Sequence, residues 1–329
     1  MAPRDMDNPP IFDLHADLFM DLARRAERGE AGGLRERHLT RLSAGGVRGA
    51  VMADCRMAGE DAGPEHLERF IALTRRELAA CGDSVLQVLR PGDIARARAE
   101  GKMAAIVAYE GLRATGGDLA WIHRLYDEAG MRVAALMHND DNAYGGGARG
   151  GGGRGLTELG REAVGLMNGL GILIDLAHAS RETRKDILAS STAPTMHSHT
   201  AAAAVFDNGR NLGEDEMRAI ADKGGLIGCM TSAASIAAPG DTAHRTLERY
   251  MEHLLRLLRG AGVEHVGLGL HFCEYLYTPE QYPPVRGLES AARAGAIIEG
   301  LRAAGYGEDD IGKIAWGNFV RVFEAACAV

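Results

Sequence analysis

Short apolar runs, too continuous for half-exposed strands and too brief for helices, recur along the chain. They cover 10–15, 47–54, 103–109, 131–137, 171–177, 193–198, 224–231 and 264–271, and near-continuous apolarity marks parallel strands covered on both faces. Between them the period lengthens to that of a helix. Residues 242–261 show it best, with Leu247, Tyr250, Met251, Leu254, Leu255 and Leu258 on one face, a stripe read as core. Further helices are predicted over 64–82, 118–129, 157–169, 180–190, 214–223, 290–304 and 308–326, and Ala129-Gly130, Leu170-Gly171 and Gly224-Gly225 end helices ahead of strands. Eight strands alternating with helices, with no break in composition, predict one α/β domain over 1–329, a (β/α)8 TIM barrel.

In such barrels the downstream strand ends carry the chemistry, and here they repeatedly carry metal-binding residues. The first run stops at His15-Ala16-Asp17, the third at Tyr109-Glu110, the fourth at His138, the fifth runs on to His178, and the sixth ends in His197-Ser198-His199. His15 and Asp17, two apart on a strand, face the same way and can reach one metal, although a satisfied buried pair has the same spacing. Glu110 offers two oxygens to bridge cations; as a charge at a helix start, before Gly111, it would need no metal. His178 and His199 supply imidazoles suited to zinc, with His197 as the rival on the sixth strand. Asp175 is placed to orient a ligand imidazole, or simply to bond a loop. The glycine-rich stretch 145–155 lacks the lysine of a phosphate-binding P-loop and is expected to be a flexible active-site loop.

Composition narrows the function classes. Apolar residues at 46% and charged residues at 25% are ordinary for a globular chain, and a net charge of −8 offers no basic field for nucleic acid. The first ten residues hold no apolar leader and no run of about 18 apolar residues occurs, so no membrane partner is expected and the location is read as cytoplasmic. Five cysteines, at 55, 81, 229, 273 and 327, form no C-x-x-C pair and are odd in number, as free thiols in a reducing compartment would be.

Over nearly its whole length the sequence resembles the membrane (renal) dipeptidase family of zinc metallopeptidases, within the wider amidohydrolase barrel group. The likeness rests on His15-Ala16-Asp17, Gly45-Gly46-Val47, Tyr109-Glu110-Gly111, Gly130-Met131-Arg132, Leu136-Met137-His138-Asn139, Gly155-Leu156-Thr157 and Gly160-Arg161-Glu162. It continues through Asn168-Gly169-Leu170-Gly171, Ile174-Asp175-Leu176-Ala177-His178, Ser198-His199, Arg210-Asn211-Leu212, Val266-Gly267-Leu268-Gly269 and Gly317-Asn318-Phe319-Val320-Arg321. The resemblance implies two zinc ions: His15 and Asp17 on one, His178 and His199 on the other, Glu110 bridging. Two ions about 3.5–4 Å apart can share a hydroxide that is nucleophilic at neutral pH. By the same resemblance His138 stabilises the oxyanion and Arg210 grips the substrate carboxylate, roles that suit a positioned donor and a guanidinium. The family also implies a small-molecule dipeptide substrate and a homodimer.

The departure is on the eighth strand. Where the family carries Asp-Phe-Asp-Gly, whose first aspartate serves as acid and base, this chain reads His271-Phe272-Cys273-Glu274. An imidazole can accept and return a proton, but nearby cations lower its basicity. A neutral His271 offers no negative charge to a substrate ammonium, and Glu274 restores it only if its side chain turns inward. The expected activity is hydrolysis of dipeptides, including those with a C-terminal D-residue, with His271 as substitute base. The alternatives are another amide hydrolysis or a biosynthetic rearrangement on the same two-metal site, or a non-catalytic metal-binding homologue. Cys273 is read as an apolar filler rather than a ligand.

Overall fold

A computed structural model describes residues 8–56, 63–151 and 153–328. Nine strands are present among them: β1 Ile11–Ala16, β2 Val47–Cys55, β3 Val85–Gln87, β4 Met103–Glu110, β5 Met131–Ala135, β6 Leu173–Asp175, β7 Met196–Thr200, β8 Leu226–Cys229 and β9 Val266–Leu268. The eight expected strands all form, and β3 is an extra short one paired in parallel with β4. From β4 the pairing runs in parallel to β5, β6 and β7, and β9 pairs in parallel with both β1 and β8. Parallel strands alternating with helices place the fold in the (β/α)8-barrel class. β1, β4, β5 and β7 are buried at every residue, which accounts for their unbroken apolarity.

The described residues form two compact units. One comprises the chain up to Ala16, Arg35–Ala50 and Ser198–Arg321. Its core stacks Phe12 on Phe319 at 4.2 Å, with Trp316 edge-on at 5.2 Å. The helix Leu247–Ala261 starts at Thr246, whose side chain accepts the Arg249 N–H. Its buried face is Tyr250, Met251, His253, Leu254, Leu257 and Leu258, so His253 and Leu257 replace the predicted Leu247 and Leu255. His253 can be buried because both ring nitrogens are bonded, Nδ1 accepting the Ala202 N–H at 3.1 Å and Nε2 donating to the Ile236 carbonyl at 3.1 Å. Burial holds this imidazole neutral by lowering its pKa from 6.5 to about 4.

The other unit comprises Asp17–Leu34, Val51–His197 and the chain from Val322 onward. Tyr109 and Phe19 pack edge-on against Phe70 at 5.2 and 5.9 Å. Near Tyr109 lies a buried hydrogen bond, His66 Nε2 donating to Asp54 Oδ2 at 2.6 Å, and Arg56 donates to His66 Nδ1 and pairs with Glu27. His66 is therefore a core residue of this unit. Three helices here or at the start of the chain, Leu18–Glu27, Thr40–Ala44 and Asp93–Ala99, were not expected from periodicity. No helix of the described residues is long and apolar enough to cross a membrane.

Candidate metal centre

Within the second unit, Glu110 is the last residue of β4 and is 4% exposed. Gly111 follows with φ +86°, and a Cβ there would lie 2.6 Å from the Cβ of His138, so only glycine lets these two backbones approach. His178 lies three residues beyond β6, with Asp175 accepting the Ala177 N–H at 3.0 Å across the turn. Its Nε2 comes 2.9 Å from Glu110 Oε1, and its Nδ1 is 2.9 Å from Asn139 Oδ1. The amide oxygen can only accept, so Nδ1 carries a proton and Nε2 is the nitrogen turned toward the carboxylate. A buried carboxylate oxygen and an imidazole nitrogen brought this close are groups that can hold a cation, with Asn139 as the outer partner that orients the ring. His138 completes this set, 3.7 Å from Glu110 Oε2 and ring to ring with His178 at 4.5 Å. Cys55 joins Glu110 and His138 in a group whose ligand atoms lie within 4.8 Å of one another. Its thiol is pushed well above the ordinary range, first by burial and then by the charges of Glu110, Asp17 and Asp54. Asp17 lies one residue past β1, as the residue preceding the helix Leu18–Glu27, and is buried.

The loop over 145–155 is stitched to this set. Ala148 N–H donates to the His178 carbonyl at 2.8 Å, Arg149 N–H to the Asn139 carbonyl at 2.7 Å, and Ser180 N–H to the Gly146 carbonyl at 2.9 Å. The flexible loop expected from its glycines is thus a fitted support; Gly152 lies outside the described residues.

Within the first unit three imidazoles cluster. Ring centroids are 4.2 Å apart for His15 and His199, 4.7 Å for His199 and His271, and 5.2 Å for His15 and His271. Their ligand atoms lie within 4.8 Å of one another. The hydroxyl and thiol partners are local: His199 Nδ1 meets Ser198 Oγ at 2.8 Å, and His271 Nδ1 meets Tyr282 OH at 3.3 Å and Cys273 Sγ at 3.4 Å. Asp13 ties the strand ends together by accepting the N–H groups of His15 and Leu270, and the His271 N–H donates to the His15 carbonyl at 3.1 Å. A Cβ at Gly228 or Gly269 would overlap the Ser198 carbonyl, which is why glycine occupies both. His197 is buried, yet among the described residues it joins no such ligand group.

The substrate-side residues divide. Arg210 is half-buried on a turn whose backbone is held by Asn208 Oδ1, while Asn211 bonds the Phe206 and Ser235 carbonyls. Glu274 lies 3.5 Å from Arg41 and accepts the Ala291 N–H at 3.4 Å. Burial raises its carboxyl above the ordinary value, with Arg41 acting in the opposite direction. Asn139, Ser198 and Tyr282, which orient the imidazoles, received no role from the sequence. Asn139, His178 and His271 are the three described non-glycine residues with positive φ, at 63°, 63° and 51°, a conformation costing of order 1 kcal/mol or more each and held only by surrounding structure.

Buried imidazoles and carboxylates at the ends of parallel strands in a (β/α)8 framework define a metal-dependent hydrolase. The chain belongs to the membrane dipeptidase family, peptidase family M19, whose family model matches residues 3–329. It is 28% identical over 264 residues, 77% of this chain and 93% of the relative, to an uncharacterised protein in the pqqA 5′ region of Klebsiella pneumoniae. It is 34% identical over 183 residues, 54% of this chain and 44% of the relative, to an uncharacterised dipeptidase of Schizosaccharomyces pombe. Its fold is similar to a metallopeptidase from Rhodobacter sphaeroides crystallised with a phosphinate mimic of the dipeptide L-Ala-D-Ala. The TM-score is 0.85 and the identity 24%, over 97% of this chain and 100% of that one.

Proposed function

We propose that this enzyme hydrolyses dipeptides, including those with a C-terminal D-residue, at a two-zinc site. The observation that carries the reading is the buried Glu110–His178 pair, two ligand atoms 2.9 Å apart with the imidazole tautomer set by Asn139, in a chain of a dipeptidase family. His15 and Asp17 would hold one zinc ion and His178 and His199 the other, with Glu110 serving both. When bound, such ions supply Lewis acidity at the scissile carbonyl and lower the pKa of water. His138 donates to the oxygen on which negative charge develops. Arg210 takes the substrate carboxylate in a bidentate grip. His271 stands in the position of the family aspartate and carries a proton from the attacking water toward the leaving amine, with Tyr282 at its Nδ1. Atoms balance as in any amide hydrolysis: the C–N bond breaks, hydroxyl goes to the acyl carbon and a proton to the nitrogen.

One observation favours a second substrate class. Glu274, which could meet a substrate ammonium, is engaged by Arg41 and the Ala291 N–H, so an amide without a free α-amine is the alternative. We further propose one cytoplasmic domain that forms a homodimer. The deciding experiment is metal analysis together with kinetics on a dipeptide panel that includes D-residues and N-acylated analogues. Turnover of free dipeptides that vanishes in Asp17→Ala supports the first reading, turnover of N-blocked substrates alone the second, and no turnover by metal-replete protein overturns both.

A further inference from the structure

We infer that Tyr277 and Tyr282 form an aromatic subsite that selects a flat apolar group, a benzyl side chain or a benzoyl group, on the acyl side of the scissile amide. The inference rests on the amide-hydrolase reading and deepens it by naming what the substrate carries beside His271. The rings concerned all belong to one compact unit. They run outward in sequence: His199 to His271 at 4.7 Å, His271 to Tyr282 at 6.3 Å and Tyr282 to Tyr277 at 6.0 Å. The two outer steps are inclined by only 32° and 21°, within the separations at which rings attract one another in offset contact. His199 is buried, whereas His271, Tyr282 and Tyr277 are half-buried, so the run opens from the site toward solvent.

The backbone sets these two rings in place. Leu276 and Tyr277 both donate their N–H groups to the Cys273 carbonyl, at 3.0 and 3.2 Å, and Gln281 and Tyr282 both donate to the Thr278 carbonyl, at 3.0 and 2.9 Å. The Gln281 side chain closes the second turn by accepting the Thr278 N–H at 3.0 Å. Two successive turns therefore each end in a tyrosine, and a prearranged pair of rings takes a third with little further loss of side-chain freedom. The Tyr282 hydroxyl is engaged at His271 Nδ1, so the rings supply the contact surface. Arg210 takes the substrate carboxylate in the reading above, which assigns the acyl side to the rings beside His271. A flat group there needs no charged partner, in keeping with a Glu274 engaged by Arg41 and the Ala291 N–H.

The test uses the full-length, zinc-supplied protein. It compares kcat/KM on Phe-Ala, Ala-Phe and Ala-Ala and on N-benzoyl-Ala and N-acetyl-Ala, and measures by calorimetry the affinity of uncleavable reduced-amide forms of Phe-Ala and Ala-Ala. The expected result is a preference of at least about tenfold for Phe-Ala over Ala-Ala and for benzoyl over acetyl, as burial plus ring contact provides, with a smaller gain for Ala-Phe. Tyr277→Leu should cut that preference by about threefold or more, through KM rather than kcat, and Tyr277→Phe should keep it; Tyr282→Leu is the second ring-deleting variant. No preference in the wild type, an equal gain for Ala-Phe, or a preference unchanged in the leucine variants would overturn the inference and leave the hydrolase reading intact. No turnover of any of these amides, with the preference intact in binding of the reduced-amide forms, would remove that reading and keep the subsite.

Discussion

The two clusters of ligand-type residues solve the same problem with different chemistry. Around Glu110 a carboxylate meets the His178 imidazole with the His138 ring beside it, and the orienting groups are an asparagine and a loop bonded to two site residues. Around His15, His199 and His271 the donors are all imidazoles, oriented by hydroxyls and a thiol. A carboxylate can bring charge to a cation, whereas imidazoles bring nitrogen lone pairs. The carboxylate should therefore govern affinity for hard cations, and the imidazoles the preference for metals that favour nitrogen.

The comparison breaks most sharply at Glu110. Glu110→Gln keeps the shape and removes the charge; kcat/KM should fall by more than about 10³-fold, equivalent to about 4 kcal/mol, with loss of bound metal by elemental analysis. Retention of metal and of activity would show that the carboxylate is not what distinguishes the first cluster. Acid should strike the second cluster's unit through His253, which holds the backbone just past His199 at Ala202. Its neutral form is favoured in the fold down to about pH 4, whereas the unfolded imidazole protonates near 6.5. The stabilisation from the buried neutral ring is complete above about pH 6.5 and is lost as pH falls toward 4, by up to about 3 kcal/mol. Urea midpoints at pH 7 and 4.5 should converge in His253→Gln relative to wild type, and parallel pH slopes would count against this account.

Asn139→Ala should weaken metal binding at the first cluster by about 10–100-fold, the ordinary effect of losing a partner that orients a ligand histidine, measured by competition with a chelator. Ser198→Ala at the second cluster is the mildest change, with less than about tenfold weakening, since a hydroxyl is replaceable by water. If the two effects come out equal, the orienting partners do not distinguish the clusters.

Much of this was readable beforehand because it depends on period. The unbroken apolar runs and the residues ending them located β1, β4, β5 and β7 and placed His15, Glu110 and His199 on or against them. What could not be read depends on local geometry. β3 is three residues long and pairs only through β4 among the pairings of its unit, too short for a pattern. Leu18–Glu27 begins directly after Asp17, where the His-x-Asp motif at the end of β1 obscures the helix start. The inward turn of Leu257 in place of Leu255 follows from His253, a polar residue that becomes core once both ring nitrogens are bonded. Asn139, Ser198 and Tyr282 act through single hydrogen bonds to imidazoles, and only the φ of 63° at Asn139, invisible in composition, marks one of them as special.

The three left-handed backbone positions at 139, 178 and 271 have a consequence for how such a protein can change. Glycine would relax each of them, so a screen that rewards heat resistance alone would drift toward glycine at these places and discard an asparagine and two imidazoles on the way. Enzymes of this design can be expected to give up chemistry and gain robustness by the same few codons.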